Sequence, residues 1–264
     1  HTAVSHQIRR LEAELGVALF LRLNGGLALS EDGQAYLPGV RAAFQALRYS
    51  TEQLLESRDK SVLTISTLVS FASKWLLPRL ERFQAACPET DVRLHTGLNL
   101  VDFEQDAIDI GVRYGKGQWP GLTADKLMDE EIFPVCSAGW LEAHGPLLQP
   151  AQLAGLPLIH DLSVDSRTGF MTWSEWLHRA AADNVDAMRG MQVNNSAAVL
   201  QAAVEGRGIA LARSVMARED VASGRLVRLF PEISVAATLA YYIVYRPECA
   251  SLPKVMTFRQ WLHS

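Results

Sequence analysis

The chain has 264 residues, a length that suits two or three domains better than one small one. Its 25 Lys and Arg against 29 Asp and Glu give a net charge of −4, with 48% hydrophobic and 20% charged residues. That profile excludes a disordered or collagen-like chain, and taken whole it lacks the basic excess usual in nucleic-acid binders. In chain order, Val4, Ile8, Leu11 and Leu15 recur at i, i+4, i+7 and i+11 and predict an amphipathic helix over 3–15. Ser5, His6, Arg9 and Arg10 fall largely off that stripe, and Gly16 stands where a glycine releases a helix. Short apolar pieces on either side of Gly25-Gly26 predict a small β-hairpin. A second helix is predicted from Ser30, with Glu31 and Asp32 suited to its first turn. Val40, Leu47 and Leu54 recur at sevens beside Tyr36, Phe44 and Leu55, which points to a partner helix from a second subunit. The polar run 56–61 reads as a hinge.

Beyond the hinge, strands alternate with helices. Strands are predicted at 62–67, 91–96, 109–114, 132–137, 156–160, 191–193, 209–211 and 239–245. Helices are predicted at 71–85, with a kink or break at Pro78, and at 171–181, 195–205 and 253–263. This order argues for an α/β architecture with largely parallel sheets, and its length suits two similar lobes.

Several chemistries find no support. Cys87, Cys136 and Cys249 are odd in number, far apart and without C-x-x-C spacing, which argues against disulfides or structural zinc and for a reducing cytoplasm. The longest nearly apolar stretch, 233–245, is too short to span a bilayer, and no export signal opens the chain. No G-x-S-x-G, H-E-x-x-H or Walker pattern is present, and Gly115-Lys116-Gly117 fails the G-x-G-x-x-G spacing. The seven histidines show no metal-ligand spacing, and His160-Asp161 reads better as a loop pair than as an acid–base pair. No catalytic activity, metal, cofactor or membrane partner is expected.

The first helix does carry a signal. Thr2, Ser5 and His6, followed by Arg9 and Arg10, suit a helix entering a major groove: short side chains allow close approach to base edges, and arginines reach phosphates or guanine. An exposed Arg-Arg helix alone is equally well a solvated face. However, Ala3 to Arg22 carries A-V-S-x-Q-I-x-x-L-E-x-x-L-G-x-x-L-F-x-R, and Leu29-Ser30-x-x-Gly33 follows. This string resembles the end of the helix-turn-helix in LysR-type transcriptional regulators. The segments 67–80, 109–115 and 203–211 are similar to the branch of that family containing glycine-cleavage activators and β-lactamase regulators.

The resemblance implies a partial winged helix-turn-helix over 1–30, a linker and dimerisation helix with hinge over 31–60, and an effector domain over 61–264. The effector domain would be periplasmic-binding-protein-like (type 2), with lobe I at 62–130 and 237–264 and lobe II at 131–236. The first helix of the DNA-binding unit is then expected to lie outside this chain. DNA contacts are implied at His1, Thr2, Ser5, His6, Arg9, Arg10 and Arg22. The implied partners are double-stranded promoter DNA, a small effector, and copies of the chain, paired through the linker helix and assembled as dimers of dimers. Gly25 and Ala28 stand where the family's wing often carries arginine, so Arg22 is expected to bear more of the backbone contact. His6 stands where family members often have arginine and brings no fixed charge.

A cleft between two lobes collects strand ends and helix N-termini. Ser70 follows the first strand and opens a helix, suited either to holding an anion or to capping the helix. Asn194-Asn195-Ser196 repeat that arrangement after 191–193, and Asp102 is placed to accept from an ammonium group or to cap a helix. Tyr241 and Tyr242 are adjacent on a strand, so at most one lines the cleft. Ser70, Phe71 beside it, Asp102, Asn195, Ser196 and Tyr241 match effector-contact positions in the β-lactamase-regulator branch. Together they suggest a small anion or zwitterion, such as an amino acid or peptide-like fragment. A solute-binding protein built from the same lobes is the competing reading; the helix-turn-helix string and the heptads count against it.

The charge divides by region. Residues 1–60 hold seven Lys/Arg and seven Asp/Glu, whereas 61–264 hold 18 and 22. The acidic excess thus belongs to the sensor part and says little against DNA binding. A near-neutral head is expected to bind DNA only as an oligomer on paired sites.

Overall fold

A computed structural model of the protein describes residues 2–23, 26–56, 62–97, 101–103, 106–163, 169–233 and 235–264. The chain divides into two units, His1–Lys60 and Ser61–Ser264.

The first unit opens with helix α1 (Thr2–Leu15), continues into an antiparallel hairpin, β1 (Phe20–Leu23) and β2 (Gly26–Leu29), and ends in the long helix α2 (Glu31–Glu56). Two side chains tie these pieces together. The Glu12 carboxylate on α1 accepts from the Leu19 N–H at 2.7 Å and the Phe20 N–H at 3.1 Å, so the helix holds the start of the hairpin. Ser30 caps α2 by accepting from the Gly33 N–H at 2.9 Å, and its hydroxyl donates to the Ala18 carbonyl. A Cβ at Gly33 would lie 2.1 Å from the Leu19 carbonyl oxygen, so only glycine lets α2 dock there. Val4, Leu11 and Leu15 on α1 and Tyr36, Phe44 and Leu47 on α2 are exposed, with Ile8 and Val40 half-buried. The side chains of Leu54 and Leu55 and the hinge residues 57–61 lie outside the described residues.

The second unit carries two sheets. One combines β3 (Val62–Thr67), β4 (Asp91–Thr96), β5 (Ile110–Gly115), β6 (Thr123–Met128) and, from the far end of the chain, β13 (Ala240–Tyr245), in the order β4-β3-β5-β13-β6. The other is formed by β7 (Glu131–Ser137), β8 (Leu158–Asp161), β9 (Met191–Val193), β10 (Ile209–Arg213) and β11 (Leu226–Arg228), in the order β11-β7-β10-β8-β9, with β12 (Val235–Ala236) also on β7. Both sheets are mixed, not largely parallel. β3, β4 and β5 run parallel, as do β8, β9 and β10, but β13 runs antiparallel to β5 and β6, and β7 antiparallel to β10, β11 and β12. The antiparallel strands enter where the chain passes between the sheets with no crossover helix, as at the two-residue step from β6 to β7.

Helix α3 (Val69–Phe71) runs through a π-helical turn (Ala72–Leu76) into α4 (Leu77–Ala86). The expected irregularity at Pro78 takes this form. The widened turn comes just before proline, which then sits in the first turn of α4, where its missing N–H costs no hydrogen bond. These helices and α9 (Pro253–Leu262) cover the first sheet, burying Leu63, Ile65, Leu76, Phe83, Val255 and Phe258. Around the second sheet lie α5 (Ala138–His144), α6 (Trp173–Arg179), α7 (Ser196–Val204) and α8 (Ser214–Ala222). Alternation along β7 sends Ile132 and Cys136 to one face, with Trp173 and Trp176, and Phe133 and Val135 to the other, with Val199 and Leu200.

Candidate functional site

On α1, Ser5, His6, Gln7, Arg9 and Arg10 are all exposed, and Ile8 is half-buried. Arg10 makes one open ion pair, to Glu14 at 3.4 Å, which solvent keeps weak and which leaves the guanidinium free to exchange partners. His1 lies outside the described residues, as do the side chains of Thr2 and Arg22.

The residues expected to face a cleft divide into three groups. Ser70, Asn195 and Ser196 come together. Asn195 caps α7 by accepting from the Ala197 and Ala198 N–H groups at 3.0 and 3.1 Å. Ser70 is not itself a cap: the N-cap position of α3 is Leu68, and the Ser70 hydroxyl instead accepts from the Ala197 N–H at 3.3 Å. A helix beside the first sheet thus touches the N-terminus of a helix on the second. Phe71 and Tyr241 belong to the packed core: their rings lie 4.9 Å apart, and both are 1% exposed. Asp102 is exposed in a loop closed by the Asp106 carboxylate, which accepts from the Asp102 N–H at 3.0 Å. It lines neither of the two cavities that Arg213 borders.

The first of these cavities, about 40 Å³, is lined by Leu68, Val69, Ser70, Ser163, Asn195 and Ser196 together with Arg213, a residue that sequence reasoning missed. Arg213 ends β10, is 4% exposed, and also lines the second cavity, about 70 Å³, which runs toward Ile159, Phe170, Met171 and Trp173. Its Nη2 donates to the Ser196 hydroxyl at 2.5 Å, and Ser196 also bonds Ser163 at 2.7 Å. The guanidinium lies between the rings of Tyr114 and Phe170, 5.1 and 5.3 Å from their centres. Its Nη1 has no acceptor among the described residues. Burial alone would lower the Arg213 pKa, but the acidic groups around it, the Asp161 and Glu130 carboxyls among them, raise it overall, so the charge is retained. The available signal was an arginine closing the apolar run Ile209–Ala212, since arginine is almost never buried without a partner.

Glu130 lies close to this arginine and is 4% exposed. Its Oε1 accepts from the Ser214 hydroxyl, the Val215 N–H at 3.0 Å and the Glu131 N–H at 3.2 Å. Burial pushes its pKa up, more than these hydrogen bonds and Arg213 pull it down. Burial also raises the Tyr114 and Tyr241 hydroxyls well above the ordinary tyrosine range, so both stay neutral.

The comparisons with known proteins fit this arrangement. Residues 56–264 match the LysR substrate binding domain, and residues 1–34 match the bacterial regulatory helix-turn-helix protein, lysR family. The chain belongs to the LysR family. The glycine cleavage system transcriptional activator of Escherichia coli K12 is 40% identical over 260 residues, covering 98% of this chain and 83% of that protein. The HTH-type transcriptional activator AmpR of Pseudomonas aeruginosa is 33% identical over 261 residues, covering 98% and 84%. The solved effector domain of P. aeruginosa AmpR superposes with a TM-score of 0.62 at 31% identity, covering 76% of this chain and 94% of that one. The protein is therefore a LysR-type transcriptional regulator with an effector-binding domain, not an enzyme, and this sets the solute-binding alternative aside. LysR regulators bind DNA and small-molecule effectors and act as oligomers. No described helix is long and apolar enough to cross a membrane.

In this LysR effector domain, ion pairs also join the elements around the two sheets. Lys74 in the π turn meets Asp220 on α8 at 2.9 Å, and Arg79 on α4 meets Glu219 at 2.7 Å. Asp220 also pairs with Arg225 at 2.6 Å and is itself buried. A movement of one sheet against the other would stretch the first two pairs.

Proposed function

We propose that this regulator reads promoter DNA through α1 and senses a small amino-acid-like or anionic effector where its two sheets meet. The DNA-contacting residues in this reading are His1, Thr2, Ser5, His6, Arg9, Arg10 and Arg22, and the effector-contacting residues are Ser70, Asn195 and Ser196, with Phe71, Asp102 and Tyr241 carried by the family resemblance alone. The domains would be 1–30, 31–60 and 61–264, the last split into lobes at 62–130 plus 237–264 and at 131–236. The protein would work in the cytoplasm as a homodimer paired through α2 and assembled into tetramers. The exposed Tyr36, Phe44 and Leu47 on α2 support that pairing.

One observation carries the sensing half of the reading: the Ser70 hydroxyl accepts from the first turn of α7, so the strand-end and helix-end residues of the two lobes converge on one point. A ligand bound there would alter the relation between the lobes and bias which arrangement the oligomer presents to DNA. Calorimetric titration with a panel of amino acids, repeated on Ser70→Ala and Asp102→Ala, tests this. Weakened binding in either variant supports the site, and undiminished binding in both removes it.

A further inference from the structure

We propose that Arg213 and Asp161 anchor an apolar α-amino acid, with its carboxylate on Arg213, its ammonium on Asp161 and its side chain in the cavity beside Phe170, Met171 and Trp173. The inference rests on the effector-sensing cleft proposed for this domain and names the ligand class for it.

Four observations converge. First, the Arg213 guanidinium is fixed between two rings, buried, and left with an Nη1 that meets no acceptor among the described residues. A buried guanidinium N–H without a partner is among the costliest polar groups to leave unpaired, and a carboxylate is the acceptor that matches it best. Second, the α7 N-terminus is already occupied: Asn195 and Ser70 take the Ala197 and Ala198 N–H groups. An anion arriving here therefore finds its strongest donor in Arg213, not in the helix end. Third, Asp161 lines the same 70 Å³ cavity as Arg213, and its charge acts on Arg213, yet it forms no ion pair among the described residues. Its Oδ1 is oriented by the Ser163 N–H at 2.9 Å. A cation and an anion facing one small cavity without pairing form a receptor for a zwitterion; Asp161 disfavours a bare phosphate by repulsion. Fourth, apart from His160 and Thr172 the remaining wall is apolar, with the Trp173 ring held by its Nε1–H donating to the Ile159 carbonyl at 2.9 Å. That lining selects an aliphatic or thioether side chain over a polar one, and the cavity volume sets a small ligand.

Calorimetry of the protein with L-leucine, L-methionine, glycine, L-leucinamide and 4-methylpentanoate tests the assignment without any mutation. Leucine and methionine are expected to bind, glycine about tenfold or more weakly because it leaves the apolar wall unfilled, and leucinamide not to bind. Arg213→Lys should weaken leucine by roughly 10- to 100-fold. Asp161→Asn should weaken leucine but not 4-methylpentanoate, which has no ammonium. Should Arg213→Lys fail to fold, the leucinamide comparison and the Asp161→Asn arm decide. Leucinamide binding as tightly as leucine overturns the proposal. Leucine binding that Ser70→Ala abolishes and Arg213→Lys leaves intact also overturns it, while keeping the cleft reading. Silence across the whole panel overturns the amino-acid class, while a DNA-binding regulator with a different effector still stands.

Discussion

Asp220 is the group on which the junction between the two sheets turns, and replacing it should have a large and specific effect. Its side chain is 3% exposed and holds two cations, Lys74 at 2.9 Å and Arg225 at 2.6 Å. The Lys74 side chain is 20% exposed and Arg225 58% exposed, so on removal of the carboxylate Arg225 returns to water while Lys74 stays mostly desolvated. Breaking a buried pair from one side costs about 3–5 kcal/mol, and the partial hydration of both partners puts Asp220→Ala near the lower end, at about 3 kcal/mol. In a unit of this size that corresponds to a fall in Tm of about 6–12 °C. Lys74→Ala should cost less, about 1–2 kcal/mol, because Asp220 keeps Arg225. Urea unfolding of the two single variants and the double variant closes a cycle, with an expected coupling of about 1–2 kcal/mol that changes little with salt. A destabilisation under about 1 kcal/mol in Asp220→Ala, or no coupling to Lys74, would refute the view that this carboxylate ties the two sheets together.

Three further outcomes are expected. Gly33→Ala places a Cβ against the Leu19 carbonyl, so it should undock the hairpin from α2 and weaken DNA binding by at least about tenfold, with faster amide exchange in β1 and β2; unchanged exchange would contradict the close approach. Glu130 has a folded pKa above its unfolded one, so the folded state holds more protons and this residue's contribution to stability falls as pH rises from about 4. Glu130→Gln removes that titration, and its stability relative to the parent should improve between about pH 4 and pH 7, as urea midpoints across that range would register. Ser196→Ala removes an acceptor of the buried Arg213 and should cost about 1–3 kcal/mol of stability, measurable by the same unfolding; a neutral effect would show that the guanidinium does not depend on this hydroxyl.

Much of the architecture was legible because it rests on local pattern. The 3.6-residue stripe of α1, the strand runs at β3 and β4 and the Asn-Ser helix start of α7 are written in neighbouring residues. What escaped was set by distant partners. β6 was missed because Asp125 and Lys126 break its apolar pattern; as an edge strand it keeps Asp125 by accepting from the Tyr245 hydroxyl at 2.9 Å and pairing with Arg259, far along the chain. Strand direction was misjudged because β13 inserts from the C-terminal end, and no local signal encodes that return. The role of Glu12 leaves no local signal, since its partners are backbone N–H groups seven and eight residues on. Arg213 escaped for the same reason: its burial depends on rings contributed by Tyr114 and Phe170 and on a hydroxyl of α7. The resemblance pointed to Asp102, which the structure leaves exposed in a loop, and gave no sign of Arg213, which it buries.

The central claim is that α1 presents a DNA-reading surface, and the salt dependence of promoter affinity tests it most directly. Fluorescence anisotropy with a labelled duplex carrying a pseudo-palindromic promoter site should give a log affinity that falls linearly with log salt. The Arg9→Ala/Arg10→Ala variant should bind more weakly, with a slope shallower by about 1.8 for each head on the DNA and so by about 3.6 when a dimer fills both half-sites, since each phosphate that goes unneutralised reduces it by about 0.9. Affinity independent of salt, or a double variant indistinguishable from the parent, would contradict the account.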